Sequence, residues 1–212
     1  MRRAHQSVSL KHIMADKDVV LEGQLKYRDG KKWKSRWCII RKLSPVADRL
    51  HLYLYKEFSD KYKDVGSDKH KMESAKLHIP LQEFYGIESG FVLDKEHHVM
   101  AILCHKEAIV LSFSTRETLI QWEIRIRTHL GEEQTFPVKL VKCPSGCRIN
   151  TGPVRLYIQG PKLCITAGLP PKLLAAWSVS DLRKFGLLDG KFCFDAGTKC
   201  GKCKYPIFLK LD

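Results

Sequence analysis

From residue 21 onward the sequence runs as short apolar stretches separated by turn residues: 21–27, 36–42, 50–55, 75–79, 98–104 and 108–113. Stretches of that length and spacing predict a string of antiparallel strands. The first two are joined by Arg28-Asp29-Gly30-Lys31-Lys32. Asp-Gly favours a tight hairpin turn, because glycine accepts positive φ without strain. Residues 58–73 carry Lys, Asp and Ser with few apolar positions, which predicts a long exposed loop. The period then changes. Ser114-Thr115-Arg116-Glu117 has the spacing of a capping box, and Leu119, Trp122, Ile126 and Leu130 follow three or four apart along one apolar face. Gly131 is placed to end that helix.

After Glu132-Glu133 the strand pattern restarts, with stretches at 136–141, 154–159, 163–167, 176–179, 191–194 and 207–211. Turn chemistry separates them at Pro144-Ser145-Gly146, Gly160-Pro161 and Ala196-Gly197. The pattern predicts a mainly β (α+β) chain of two β-barrel or sandwich domains in tandem. The first covers 20–131 and is closed by its C-terminal helix. The second covers 134–212, has no closing helix, and is therefore expected to be incomplete. Residues 1–19 are polar, without periodicity, and are expected to form a flexible lead-in.

Composition narrows the setting. A chain of 212 residues with 44% hydrophobic positions can build two small cores. It contains no run of eighteen apolar residues, and Met1-Arg2-Arg3-Ala4-His5-Gln6-Ser7 lacks the apolar core of a signal peptide, so a cytoplasmic protein is expected. On that expectation the eight cysteines are reduced thiols. The formal charge of +14 attracts phosphate-bearing partners: nucleic acid, lipid headgroups or phosphorylated peptides.

Much of that charge falls on the first hairpin, where Lys26, Arg28, Lys31, Lys32, Lys34, Arg36, Arg41 and Lys42 stand against the single acid Asp29. Lys34 and Arg36 are two apart on one strand, so they share a face and can reach one anionic group together. Lys26, on the opposing strand, is positioned to approach from the other side. Trp33 is expected at the turn, within reach of a membrane interface, and Trp37 in the core. The alternative, that these are ordinary solvated charges, is disfavoured by the near absence of acids.

Glu22-Gly23-Gln24-Leu25-Lys26, Lys34-Ser35-Arg36-Trp37 and a terminal helix carrying Trp122 together resemble a pleckstrin-homology domain. The resemblance implies that Lys26, Lys34 and Arg36, with Lys32 beside them, hold phosphoinositide phosphates, and that Trp122 packs on the barrel. Farther on, Ser180-Asp181-Leu182-Arg183-Lys184-Phe185-Gly186 and Phe192-Cys193-Phe194-Asp195-Ala196-Gly197-Thr198-Lys199-Cys200-Gly201 are similar to the phosphotyrosine-binding domain of insulin-receptor-substrate and docking proteins. That similarity, with the hairpin and Leu43-Ser44-Pro45-Val46-Ala47-Asp48, implies an adaptor of the downstream-of-tyrosine-kinase family. Its implied partners are a phosphoinositide membrane and an Asn-Pro-x-phosphotyrosine peptide of a muscle-type receptor tyrosine kinase. It further implies homodimerisation through the first domain, receptor activation, and a place at the plasma membrane of the synapse. Arg183, Lys184 and Lys199 stand where the family places phosphotyrosine ligands. The family has arginine at the last two, and lysine supplies charge without the bidentate fork.

Other constellations are weaker. Cys143 with Cys147 and Cys200 with Cys203 could supply thiolates to zinc, but the first spacing is loose and the pairs are far apart. Thiol redox chemistry is less favoured still, since no helix follows the second pair to lower a thiol pKa. His97, His98 and His105 have neither helical spacing nor an acidic partner. No phosphate loop, nucleophile elbow or catalytic carboxylate pair is present, so neither an enzyme nor a cofactor is expected. A basic nucleic-acid-binding protein is the alternative, with Trp33, Tyr53, Tyr55 and Tyr62 as stacking residues; against it, the charge is split between two places.

Overall fold

The computed structural model describes residues 19–42, 49–56, 75–104, 108–142, 149–196 and 207–211. Seven strands form the first sheet: β1 Val19–Asp29, β2 Lys32–Lys42, β3 Leu50–Tyr55, β4 Leu77–Pro80, β5 Gly86–Leu93, β6 Glu96–Leu103 and β7 Ala108–Ser112. Their order is β4-β3-β2-β1-β7-β6-β5. Helix α1, Arg116–Leu130, follows. The second sheet comprises β8 Gln134–Lys142, β9 Gly152–Gln159, β10 Lys162–Ala167, β11 Lys172–Ser178, β12 Leu182–Leu188, β13 Lys191–Ala196 and β14 Ile207–Leu211. Its order, β11-β10-β9-β8-β14-β13-β12, is that of the first sheet moved on by seven strands. The chain is thus mainly β, two antiparallel seven-stranded sheets of one topology, and α1 is the sole α-helix among the described residues. The expected lead-in, the 58–73 loop, both cysteine pairs, His105, Tyr62 and Lys199 lie outside those residues, apart from Val19 at the start of β1.

By packing, the chain divides into two compact units, residues 1–82 with 111–130 and residues 83–110 with 131–212. In the first, Leu25, Cys38, Ile40, Leu50, Leu52 and Leu54 fill the interior. Helix α1 begins at Thr115, whose Oγ1 accepts from the Thr118 amide at 3.2 Å. The N-cap is therefore Thr115, one residue beyond the expected Ser114. Leu119, Trp122 and Ile126 are buried along one side of α1, with Trp122 5.4 Å from Phe113 ring to ring. Gly23 on β1 lies beneath the same indole: a Cβ there would meet Trp122 Cζ2 at 3.7 Å. Gly131, at φ +89°, stops the helix in the left-handed conformation that glycine adopts freely.

In the second unit Val138, Leu140, Leu156, Leu163, Ile165, Trp177, Phe194, Ile207 and Leu209 form the core. Trp177 and Phe194 meet edge to face at 5.0 Å. Within this unit the Tyr157 hydroxyl donates to Glu88 Oε2 at 2.9 Å, and Arg155 stands 3.4 Å from the other carboxylate oxygen.

Candidate functional site

The register of the first hairpin decides which basic side chains act together. β1 and β2 pair from Leu21↔Ile40 through Leu25↔Arg36, Lys26↔Ser35, Tyr27↔Lys34 and Arg28↔Trp33 to Asp29↔Lys32. Gly30 takes the first turn position at φ +60°. Directly opposed residues share a face, and alternate residues along a strand share one too. Leu25 and Cys38 are buried and mark the core side. Lys32, Lys34 and Arg36 continue that side past the end of the core, with Tyr27 and Asp29 facing them. Three cations, two residues apart, therefore line one edge of the barrel mouth.

Lys26 is elsewhere. It lies opposite Ser35 and, across β7, opposite Ser112, on the other face of the sheet. The structure thus brings Lys32, Lys34 and Arg36 together and does not bring Lys26 to them. Trp37 departs from expectation as well: it pairs with Gln24 on that outer face and is only half-buried, so it is not a core residue.

Lys34 donates from Nζ to Asp29 Oδ2, and Arg36 Nη1 donates to the Ser35 carbonyl at 2.7 Å. The hydrogen bond from Lys34, and then its charge, hold the Asp29 carboxyl below the usual carboxylate range. Asp29 is thus an internal partner of Lys34 that the cation count alone did not reveal.

The second candidate site follows β12, an edge strand of its sheet. Arg183 and Lys184 are exposed on it. Leu182 pairs with Ala196 and Lys184 with Asp195, so Arg183 is the extra residue of a β-bulge, a device that turns a side chain out of the strand's alternation. Phe185 pairs with the core residue Phe194, and Leu187 with Phe192. Both therefore stand on the core face of the sheet, yet they are 65% and 80% exposed. An edge strand that is paired on one side among the described residues and has uncovered apolar side chains on its core face is suited to receiving an added strand. Sequence periodicity missed β12.

A third cluster, in the first unit, has no counterpart in the sequence expectations. His51 Nδ1 and His78 Nε2 are 2.6 Å apart, the Tyr53 and His78 rings stack at 4.5 Å, and the Arg41 guanidinium is 5.9 Å from the Tyr53 ring centre. Burial above all, then the charges of His78 and Arg49, lower the His51 pKa. Among the buried thiols, Cys104 and Cys164 are pushed by burial up to about 12, far from the thiolate form that reactivity needs. No group of three metal-ligating side chains occurs among the described residues, and no described helix is long and apolar enough to cross a membrane.

No protein-family model matches the chain. Protein Dok-7 of Homo sapiens is 37% identical over 190 residues, 90% of this chain, and Protein Dok-7 of Mus musculus is 35% identical over the same length. Protein Dok-7 of Takifugu rubripes is 37% identical over 86% of the chain. The chain is a homologue of Protein Dok-7. It spans about a third of the length of these Dok-7 relatives, 34 to 36%. Among solved structures, the C-terminal PH domain of pleckstrin in complex with D-myo-Ins(1,2,3,4,5)P5 is 18% identical with a TM-score of 0.36, covering 52% of this chain and 97% of that one. Human FAM129B/MINERVA/NIBAN2 is 12% identical with a TM-score of 0.39, covering 52% of this chain and 21% of that one.

Proposed function

We propose that the chain is a non-catalytic adaptor that docks on phosphoinositide membranes through Lys32, Lys34 and Arg36 and binds a tyrosine-phosphorylated receptor kinase along β12. The observation that carries the reading is the placement of those three cations on one side of β2, two residues apart, at the mouth of the first sheet. Ammonium and guanidinium groups so spaced can meet several oxygens of one polyphosphorylated headgroup, and charge-assisted bonds to phosphate are the strong kind.

For the second half, an Asn-Pro-x-phosphotyrosine segment adds to β12 as a strand. Its main chain bonds the edge, its apolar side chains cover Phe185 and Leu187, and its phosphate meets Arg183, Lys184 and Lys199. A muscle-type receptor kinase is the partner that kinship with Dok-7 favours, and homodimerisation through the first domain is the means by which two receptor chains would be brought together and activated. The setting is cytoplasmic, peripheral at the plasma membrane, synaptic by the same kinship.

Sedimentation with phosphoinositide-bearing vesicles tests the membrane half: the Lys34→Glu, Arg36→Glu double variant loses binding, and retention equal to the unaltered chain removes the claim. Titration with phosphorylated and unphosphorylated peptide tests the other half. Equal affinity for the two, or no loss with Arg183→Ala, removes the phosphotyrosine claim. A salt-sensitive affinity for nucleic acid above that for lipid would replace the adaptor by the nucleic-acid-binding alternative.

A further inference from the structure

The histidine and tyrosine cluster of the first unit lies on the outer face of β2, β3 and β4. Arg41 is directly opposite His51, and Tyr53 is directly opposite His78, so two neighbouring rows bring together a guanidinium, two imidazoles and a phenol. On β3, His51 and Tyr53 alternate with the core residues Leu50, Leu52 and Leu54, which puts the cluster on the face away from that core. It is nevertheless buried: His51 is 5% exposed, Tyr53 1% and Arg41 9%.

Two polar atoms of this cluster find no hydrogen-bond partner among the described residues, His51 Nε2 and the Tyr53 hydroxyl. Buried polar atoms are satisfied in the great majority of cases, so two on neighbouring side chains point to a ligand. The other ring nitrogen of His51, Nδ1, is 2.6 Å from His78 Nε2. With the proton of that contact on His78, His51 carries its own proton on Nε2 and is a donor there, as the phenol is.

The charge around these donors is positive. The Arg41 guanidinium is 5.9 Å from the Tyr53 ring centre, and the charges that bear on His51 are those of His78 and of Arg49, just before β3. Arginines beside the imidazoles disfavour a metal cation. They favour an oxyanion, whose oxygens accept from guanidinium, imidazole N–H and phenol alike. Arg49 and His78 are exposed and form the approach from solvent.

We infer that Arg41, Arg49, His51 and Tyr53 form a binding site for a small free oxyanion of the phosphate and sulfate class, with His78 holding the His51 ring in place. Arg41 stands at the far end of β2 from Lys32 and Lys34, so the site is distinct from the hairpin cations and independent of the phosphoinositide reading. Its occupancy is linked to protons. Burial, His78 and Arg49 favour neutral His51, whereas an anion at Nε2 favours the imidazolium. The anion-bound chain therefore takes up a proton, and affinity rises as pH falls through the histidine range.

The test uses the full chain, with sulfate as a probe that keeps its charge across that range, and follows the histidine side-chain nitrogen signals of the labelled protein. Sulfate shifts the His51 signals saturably, with tighter binding at about pH 6 than at about pH 7.5. The Lys34→Glu, Arg36→Glu variant responds in the same way. Tyr53→Phe keeps the ring and removes only the hydroxyl, so it folds and weakens sulfate binding about tenfold, the scale of one hydrogen bond to a charged group. His51 signals that do not respond to sulfate, or that respond with equal affinity in Tyr53→Phe, overturn the site. A response lost in the Lys34, Arg36 variant overturns it as well, by assigning the anion to the hairpin, as does an affinity that is the same at both pH values.

Discussion

Lys34 is hydrogen-bonded across the first hairpin to Asp29, so a cation of the proposed phosphate site is already engaged by an acid of its own chain. On the proposed phosphoinositide reading Asp29 is a competitor that a ligand displaces, and both side chains are exposed. Asp29→Asn therefore raises affinity for anionic vesicles by about threefold, the scale of an exposed ion pair. Because Lys34 holds the Asp29 pKa below the reference carboxylate value of about 3.9, the carboxylate stays ionised above about pH 5, and Asp29 itself adds no pH dependence to the gain there. Vesicle titrations of both proteins check it; a loss of affinity in the variant would show that Asp29 orders the site rather than occupying it.

Acid acts on the first unit through His51. Its pKa is lowered, so the unfolded chain binds the proton before the folded one does, and stability falls as pH drops below the ordinary histidine value of about 6.5 toward the folded one. Above that value His51 is neutral in both the folded and the unfolded chain and contributes no pH dependence. Thermal unfolding followed from neutral pH downward shows a falling midpoint, and His51→Phe flattens the dependence. An unchanged slope in the variant would remove His51 as the sensor.

Trp122 and Gly23 form a packing pair in which the absence of a side chain on one makes room for the other. Trp122→Ala costs about 3–5 kcal/mol. Gly23→Ala is accepted, since its Cβ would meet the indole at ordinary contact distance, 3.7 Å. Gly23→Leu overpacks the contact and costs about 1–3 kcal/mol. Denaturant midpoints of the three variants report the order.

On β12, Leu187 is 80% exposed, so its native environment resembles its unfolded one. Leu187→Ser changes stability by no more than about 0.5 kcal/mol, yet it weakens phosphopeptide binding, because the apolar surface lost is the one the added strand covers. Equal peptide affinity, measured calorimetrically beside an unchanged melting curve, would move the peptide off this edge.

Much of the fold was legible because its strands alternate or run apolar between turn residues, as at Leu50–Tyr55. The helix was legible because Leu119, Trp122 and Ile126 keep a helical period. The two strands that escaped have local reasons. β5 is interrupted by bulges and by Gly90 at φ +76°, which break its period. β12 is an edge with Gly186 inside it and apolar residues left uncovered, so neither burial nor alternation marked it. The basic cluster was visible as composition, but its division between two faces was not. Whether Lys26 joins Lys34 depends on a register that one residue's slip would reverse, and only the pairing of Leu25 with Arg36 settles that phase.

On the proposed reading β2 presents Lys32, Lys34 and Arg36 as one phosphate-binding edge. Titration of the isotopically labelled chain with a soluble inositol trisphosphate, followed through its backbone and arginine side-chain N–H signals, tests it most directly. The expected result is a saturable shift confined to residues 27–36, largest at Lys34 and Arg36, and absent from the Lys34→Glu, Arg36→Glu variant. Shifts centred on the second sheet, or the same shifts in the variant, would contradict the account.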